Sequence, residues 1–254
     1  MSDEVLVEVE DGVMLITLNR PKAKNAVNLA VAKGLAAAMD RLDSSDDIQV
    51  AILTGSEGTF CSGMDLKAFV TGEMPFIEGR GFAGFIEALP KKPLIAAIEG
   101  YALAGGFELA LACDLVVAAD NSKFGIPEVK RGLVAAAGGL MRLPRQIPPR
   151  VAMELGLTGD FISSQRAYEL GLINRVVEAG TAVEAAKVLA RTISANGPLA
   201  VVKTKEVVIK SQDWSLDSMF SEQQKVADVV FSSEDAIEGA TAFAEKRAPN
   251  WKGR

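Results

Sequence analysis

Short apolar runs of strand length mark the first half of the chain: Val5 to Val9, Val13 to Leu18, Ile48 to Leu53, Leu94 to Ile98 and Leu115 to Ala119. Segments of helical composition separate them, most plainly the Ala-rich stretch Leu29 to Leu42, whose apolar residues recur at helical spacing. Gly55 and Gly58 punctuate the turn after the third run. Such alternation predicts α/β layering. From about Ala182 the pattern becomes helical throughout, with helices predicted over Ala182 to Ser194, Leu199 to Lys210, Leu216 to Phe231 and Glu234 to Lys246. Asn196-Gly197-Pro198 closes one helix and opens the next with proline in the first turn, and Ser232 with Asp235 offers a capping signal. The chain therefore divides into a core over residues 1–195 and a helical C-terminal region over 196–254. Met219, Phe220, Phe231 and Phe243 in that region are either core residues or a surface for another subunit.

Composition narrows the chemistry. At 254 residues and 49% hydrophobic content the chain can bury a sizeable core. A net charge of −6, from 27 basic and 33 acidic residues without long like-charge runs, speaks against coating nucleic acid or lying on a membrane. Cys61 and Cys113 are the only cysteines and form no CxxC pair, so neither a disulfide scaffold nor a structural zinc site is expected, and a reducing compartment fits. The start Met1-Ser2-Asp3-Glu4 carries no basic leader and no apolar stretch reaches bilayer-spanning length, which predicts a soluble, cytoplasmic protein. The sequence contains no histidine, which removes Ser-His-Asp triads, Cys-His dyads and His-ligated metals. Acid/base work then falls mainly to carboxylates, with Lys or Tyr serving only at a tuned pKa.

Three segments carry candidate chemistry. Gly100 to Asp114, with Ala104-Gly105-Gly106-Phe107-Glu108 at its centre, follows a strand and leads into a helix. Its glycines permit close approach to the backbone, and free N–H groups at a helix start stabilise an anion or developing oxyanion. Glu108 then falls in the first helical turn; the plainer reading is a packing turn with Glu108 as a favourable N-terminal charge. The second segment, Thr59 to Lys67, contains a flexible Ser62-Gly63 pair that can supply another backbone donor, or is an ordinary loop before a helix starting near Asp65. In the third, Lys123 to Gly132, Glu128 directly follows a proline in apolar surroundings, 20 residues beyond Glu108. Burial raises a carboxyl's pKa towards the range useful for proton transfer, although a lone glutamate is usually a solvated surface group. Pairing with Glu108 is what makes Glu128 a candidate. Gly79-Arg80-Gly81-Phe82-Ala83-Gly84 spells a dinucleotide-binding GxGxxG, but Pro75 interrupts any preceding strand and Pro90 cuts short any following helix.

In order and spacing, these segments resemble the enoyl-CoA hydratase/isomerase family, the crotonases. The likeness extends over nearly the whole chain: Leu18-Asn19-Arg20-Pro21 with Asn25-Ala26, Ser62 to Lys67, Ala104 to Ala110, Phe124 to Glu128, Ala137-Gly138-Gly139 with Arg142-Leu143, Ala167 to Val177, and Phe243 to Arg247. The resemblance implies a spiral of ββα units followed by C-terminal helices that join subunits into trimers, commonly paired as hexamers. It implies an oxyanion hole from the N–H groups of Met64 and Gly105, and a coenzyme A site lined by Ser62, Asp65, Leu66 and Lys67. It also implies that Phe243 and Lys246 reach the coenzyme of a neighbouring subunit.

Hydratases of that family carry both glutamates. The resemblance thus implies hydration of trans-2-enoyl-CoA in fatty acid β-oxidation style, with Glu108 helping to activate water and Glu128 exchanging the proton at the α carbon. Coenzyme A is then part of the substrate, and no separate cofactor or metal is needed. Two departures bear on the acyl group: Ala104 replaces a third glycine, and Leu133-Val134-Ala135-Ala136-Ala137 lacks a usual proline, with Arg131 near that wall. The segment from Phe124 through Pro149 is also similar to carnitinyl-CoA dehydratase-like members. Alternatives are therefore carnitinyl-CoA dehydration, enoyl-CoA isomerisation, or a non-catalytic assembly protein keeping the fold.

Overall fold

A computed structural model describes residues 3–254. Among the described residues, eleven strands occur in the order β1 (Val5–Glu10), β2 (Val13–Leu18), β3 (Val50–Gly55), β4 (Phe76–Ile77), β5 (Gly81–Phe82), β6 (Leu94–Ile98), β7 (Tyr101–Leu103), β8 (Leu115–Ala119), β9 (Lys123–Gly125), β10 (Ile162–Ser163) and β11 (Arg175–Val177). The helices are α1 (Leu29–Ser44), α2 (Leu66–Val70), α3 (Gly105–Ala112), α4 (Gly139–Gln146), α5 (Pro149–Thr158), α6 (Ser164–Glu169), α7 (Ala182–Ser194), α8 (Pro198–Lys210), α9 (Met219–Phe231) and α10 (Glu234–Glu245).

The main sheet runs β1-β2-β3-β6-β8-β11, parallel except for the β1–β2 hairpin. A smaller sheet, β10-β9-β7, lies beside it, and single bridges from Cys61 to Ala102 and from Val27 to Met64 add earlier turns of the chain to the same side. Each circuit places one strand in the large sheet and an extended segment on the small-sheet side, usually before a helix. This is the expected spiral of ββα units.

The strands read as continuous apolar runs because both faces of the main sheet are covered. Period-two alternation sends Ala51 and Leu53 of β3 into the principal core, while Val50 and Ile52 face the opposite side with Ile95, Ala97 and Val117. There α7 packs through Ala182, Ala186 and Ala190, a stripe at four-residue spacing. Helix α1 turns Val31, Leu35, Met39 and Leu42 inward and is capped by Asn28, whose Oδ1 accepts from Val31 N–H at 2.9 Å.

Residues 196–254 contain α8 to α10 and no strand. Lys205 of α8 anchors this region by donating to Asp114 Oδ2 at 2.6 Å and to the Lys92 carbonyl at 2.9 Å. Neither α8 nor α9 buries a residue fully, and Leu216, Phe220, Phe231, Ile237 and Phe243 are all exposed. Among the described residues no helix is long and apolar enough to cross a membrane.

The boundaries depart from the sequence pattern in several places. The predicted helix from Leu216 begins at Met219, because Ser215 to Ser218 form a turn in which the two hydroxyls lie 2.8 Å apart and Ser215 O accepts from Met219 N–H. Serine and aspartate side chains there compete for backbone partners. The third strand begins at Val50 rather than Ile48, since Ile48 N–H closes a turn onto Ser45 O. Ser233, not Ser232, caps α10, its Oγ accepting from Ala236 N–H at 3.1 Å. Helices α4, α5 and α6 are additional, and GxGxxG residues 79–84 contribute turn residues and the second strand of the β4–β5 hairpin, with Gly79, Gly81 and Gly84 all at positive φ.

Leu53 is fully buried in the principal core. Leu53→Ala is expected to lower unfolding free energy by about 2–5 kcal/mol, read as a lower urea midpoint with an unchanged slope.

Candidate active site

One cavity, of about 760 Å³, opens between the small-sheet side and the loop leading into α4. It brings together Ser62, Met64, Asp65, Leu66, Lys67, Gly105, Glu108 and Glu128. Phe243 and Lys246 lie at the far end of α10, with Phe243 88% exposed, and neither lines the cavity.

The two backbone donors follow from close packing of successive turns. Val27 N–H donates to Gly63 O, and Asp65 N–H donates to Val27 O, which leaves the intervening Met64 N–H without an acceptor among the described residues. Gly105 is the first residue of α3, so its N–H has no intrahelical acceptor either. Gly63 has φ +103°, and a Cβ there would come within 2.8 Å of Ala104 Cβ and 3.1 Å of Gly105 N. Only glycine allows the two strands of backbone to meet this closely. Ala104, which caps α3, has φ 52° and ψ −131°, a region that an L side chain occupies under strain.

Glu108 projects from the first turn of α3 and is 2% exposed. Its Oε1 accepts from Ala137 N–H and from Gly139 N–H, both at 2.8 Å. A Cβ at residue 139 would lie 3.0 Å from Glu108 Oε1, so glycine there keeps the second donor within reach. Burial pushes the Glu108 carboxyl upward, opposed by the two N–H donors and by the Arg142 guanidinium. Arg142 also braces the donor loop: it donates to Ile86 O at 2.8 Å and to Ala137 O at 3.3 Å.

Glu128 sits on a 3-10 helix over Pro127–Arg131, entered through the proline that fixes its first φ. It is half-buried, and its buried Oε2 has no hydrogen-bond partner. Burial, reinforced by the negative charge of Glu108 and opposed by the positive charge of Arg131, pushes its carboxyl up to about 7. One carboxylate thus has an oxygen pinned by two donors, and the other titrates near neutrality with an oxygen free. Beside two unpaired N–H groups, that arrangement is suited to moving protons next to a polarised carbonyl.

Asp65 lines the cavity as expected, with its carboxylate engaged by groups of the chain itself. Oδ1 caps α2, accepting from Lys67 N–H and Ala68 N–H, and Oδ2 pairs with Arg20 at 2.9 Å. Burial would raise its pKa, but the Arg20 hydrogen bond and the capping N–H groups outweigh that and hold it below the usual range. Arg20 also binds Glu4 and the Ala26 carbonyl and lines the cavity. The motif resemblance includes Arg20 and Arg142 but assigns neither a role, because their partners lie far away in the chain. Phe82, from the GxGxxG spelling, lines the cavity against Gly105.

The family model for enoyl-CoA hydratase/isomerase matches residues 8–254. The chain belongs to the enoyl-CoA hydratase/isomerase family. It is an enzyme with the crotonase fold. Among solved structures it is similar to an enoyl-CoA hydratase from Mycobacterium tuberculosis H37Rv, with 62% identity, a TM-score of 0.98 and full coverage of both chains. The enoyl-CoA hydratase EchA19 of Mycobacterium tuberculosis is 43% identical over 99% of this chain and 97% of that protein. The carnitinyl-CoA dehydratase of Proteus mirabilis is 41% identical over the full length of both. These crotonase relatives share the fold and differ in the acyl group their names specify.

Two outcomes are expected at this crotonase site. Because the folded Glu128 pKa is raised, protonation of its carboxyl favours the fold; that contribution is complete below about pH 4.3 and is lost as pH rises through about 7. Urea unfolding across this window should show Glu128→Gln gaining stability relative to the parent chain as pH rises, and a constant difference would refute the raised pKa. Ala104→Gly relieves the positive φ and is expected to raise stability by about 1 kcal/mol in the same assay, after the entropic cost of glycine.

Proposed function

We propose that this chain adds water reversibly across the 2,3 double bond of a trans-2-enoyl-CoA thioester, the hydration reaction of fatty acid β-oxidation type. The observation that carries the reading is the division of labour between the two glutamates: Glu108 held by Ala137 and Gly139, Glu128 with an unpartnered oxygen and a pKa near 7.

The thioester oxygen accepts from Met64 N–H and Gly105 N–H, whose dipoles are oriented before any charge develops. Water sits between the carboxyl groups. The free oxygen of Glu108 takes a proton from it as its oxygen bonds to the β carbon, and the electron pair of the double bond moves onto the thioester as an enolate. Protonated Glu128 then delivers its proton to the α carbon, restoring the thioester carbonyl. A pKa near 7 lets Glu128 give and regain that proton at neutral pH.

The coenzyme lies towards Ser62, Leu66 and Lys67, and the acyl chain towards Leu133 and Val134. Asp65 acts there by holding Arg20 and α2 in place. The exposed apolar residues of α8 to α10 support assembly into trimers or hexamers, in which Phe243 and Lys246 of one subunit approach the coenzyme of the next.

Crotonyl-CoA incubated with the purified protein is expected to lose its conjugated thioester absorbance. Glu108→Gln and Glu128→Gln should each lower kcat by about 10²–10⁴-fold while the circular dichroism spectrum is unchanged. Full turnover by either folded variant would refute the assignment.

A further inference from the structure

The cavity wall carries a cation, Arg131, that moderates the Glu128 pKa and has no contact with the reacting atoms in the hydration scheme. Arg131 closes the 3-10 helix that begins at Pro127 and carries Glu128. Such a helix has three residues per turn, so side chains at i and i+3 eclipse one another. Glu128 and Arg131 therefore stand one above the other on the same face, about 6 Å apart along the axis, and both line the cavity.

The other basic groups of the wall are occupied or lie elsewhere. Arg20 is paired with Glu4 and Asp65. Lys22, Lys24 and Lys67 flank the Met64 side, where Ser62 N–H donates to Lys24 O. Adjacent Lys130 is paired with Asp160 at 2.6 Å. Arg131 makes no ion pair and no side-chain hydrogen bond among the described residues, and it does not approach Glu128 closely enough to bind its free Oε2. It stands on the Glu128 side of the oxyanion donors, continuous in sequence with the apolar Leu133 and Val134 of the same wall.

A thioester whose carbonyl oxygen is held by Met64 and Gly105, with its α carbon against Glu128, directs the substituent of its γ carbon along this wall. We propose that Arg131 is a specificity-determining residue that forms a subsite for a carboxylate carried on the acyl chain beyond the double bond. The subsite selects dicarboxylic 2-enoyl thioesters and disfavours acyl groups bearing a quaternary ammonium. The placement of the thioester rests on the hydratase reading above.

At about 6 Å, with an effective dielectric between 20 and 80, a unit charge changes affinity by roughly 3- to 100-fold. The sign is opposite for the two acyl types. A trimethylammonium on the γ carbon would place like charges together with no other unengaged carboxylate at that point of the wall, since Glu108 and Glu128 serve the reacting carbons. Arg131 thus disfavours a carnitinyl thioester in this chain.

The test measures binding of three saturated thioesters of similar length by calorimetry: glutaryl-CoA (anionic), butyryl-CoA (neutral) and γ-butyrobetainyl-CoA (cationic). Dissociation constants are divided by that of butyryl-CoA for the parent chain, Arg131→Gln and Arg131→Glu. The parent is expected to bind glutaryl-CoA roughly tenfold more tightly than γ-butyrobetainyl-CoA; the preference should fall towards unity in Arg131→Gln and invert in Arg131→Glu. Equal ratios in all three proteins, or a parent preference for the cationic thioester, overturn the proposal. Because binding is read without turnover, failure to hydrate crotonyl-CoA counts against the hydratase reading alone. Circular dichroism confirms folding of each variant, and the exposed position of residue 131 makes both substitutions compatible with the fold.

Discussion

Removing a carboxylate from water costs several kcal/mol unless hydrogen bonds replace those to the solvent. Glu108 meets that condition inside the wall of the cavity, where both of its neighbours at Oε1 are backbone N–H groups from the loop that starts α4. The loop must therefore stay where it is, and Arg142 keeps it there by bridging Ala137 O to Ile86 O. A single buried charge thus ties together α3, the start of α4 and the segment after β5.

The same packing creates the asymmetry between the two glutamates. Glu108 receives two donors at one oxygen, while Glu128, on a short 3-10 helix across the cavity, keeps an oxygen without a partner. Burial raises both groups, but only Glu128 also feels the other carboxylate as an important unfavourable neighbour. Two residues of identical chemistry are given different hydrogen-bonding and electrostatic environments by what surrounds them. Neither the small sheet nor the main sheet supplies these groups directly. The sheets fix the spacing of the turns, and the turns present Met64, Gly105, Glu108 and Glu128.

Some tension in the backbone accompanies this arrangement. Ala104 adopts a positive φ immediately before the α3 donor, and Gly63 lies against it. The strain sits where two turns of the spiral come closest, and the bridges from Cys61 to Ala102 and from Val27 to Met64 hold that approach in place. Backbone geometry unfavourable by itself is retained because neighbouring ladders determine it.

The sequence alone determined the layering, the helical C-terminal region and the exclusion of histidine chemistry. Apolar runs such as Val13 to Leu18 report burial on both faces, periodicity in Leu29 to Leu42 reports one helical face, and the lack of histidine is a property of composition. Resemblance across ordered motifs supplied the coenzyme. Short-range pattern could not reveal that Asp65 Oδ2 is paired with Arg20, or that Ala137 and Gly139 hold Glu108. Nor did it reveal that Phe82 from a nucleotide-like spelling packs on Gly105. Those facts belong to residues distant in the chain, 45 positions apart for Arg20 and Asp65. Only the stacking of spiral turns decides which of them meet, because hydrogen bonding and desolvation act over a few ångströms of space whatever the separation in sequence.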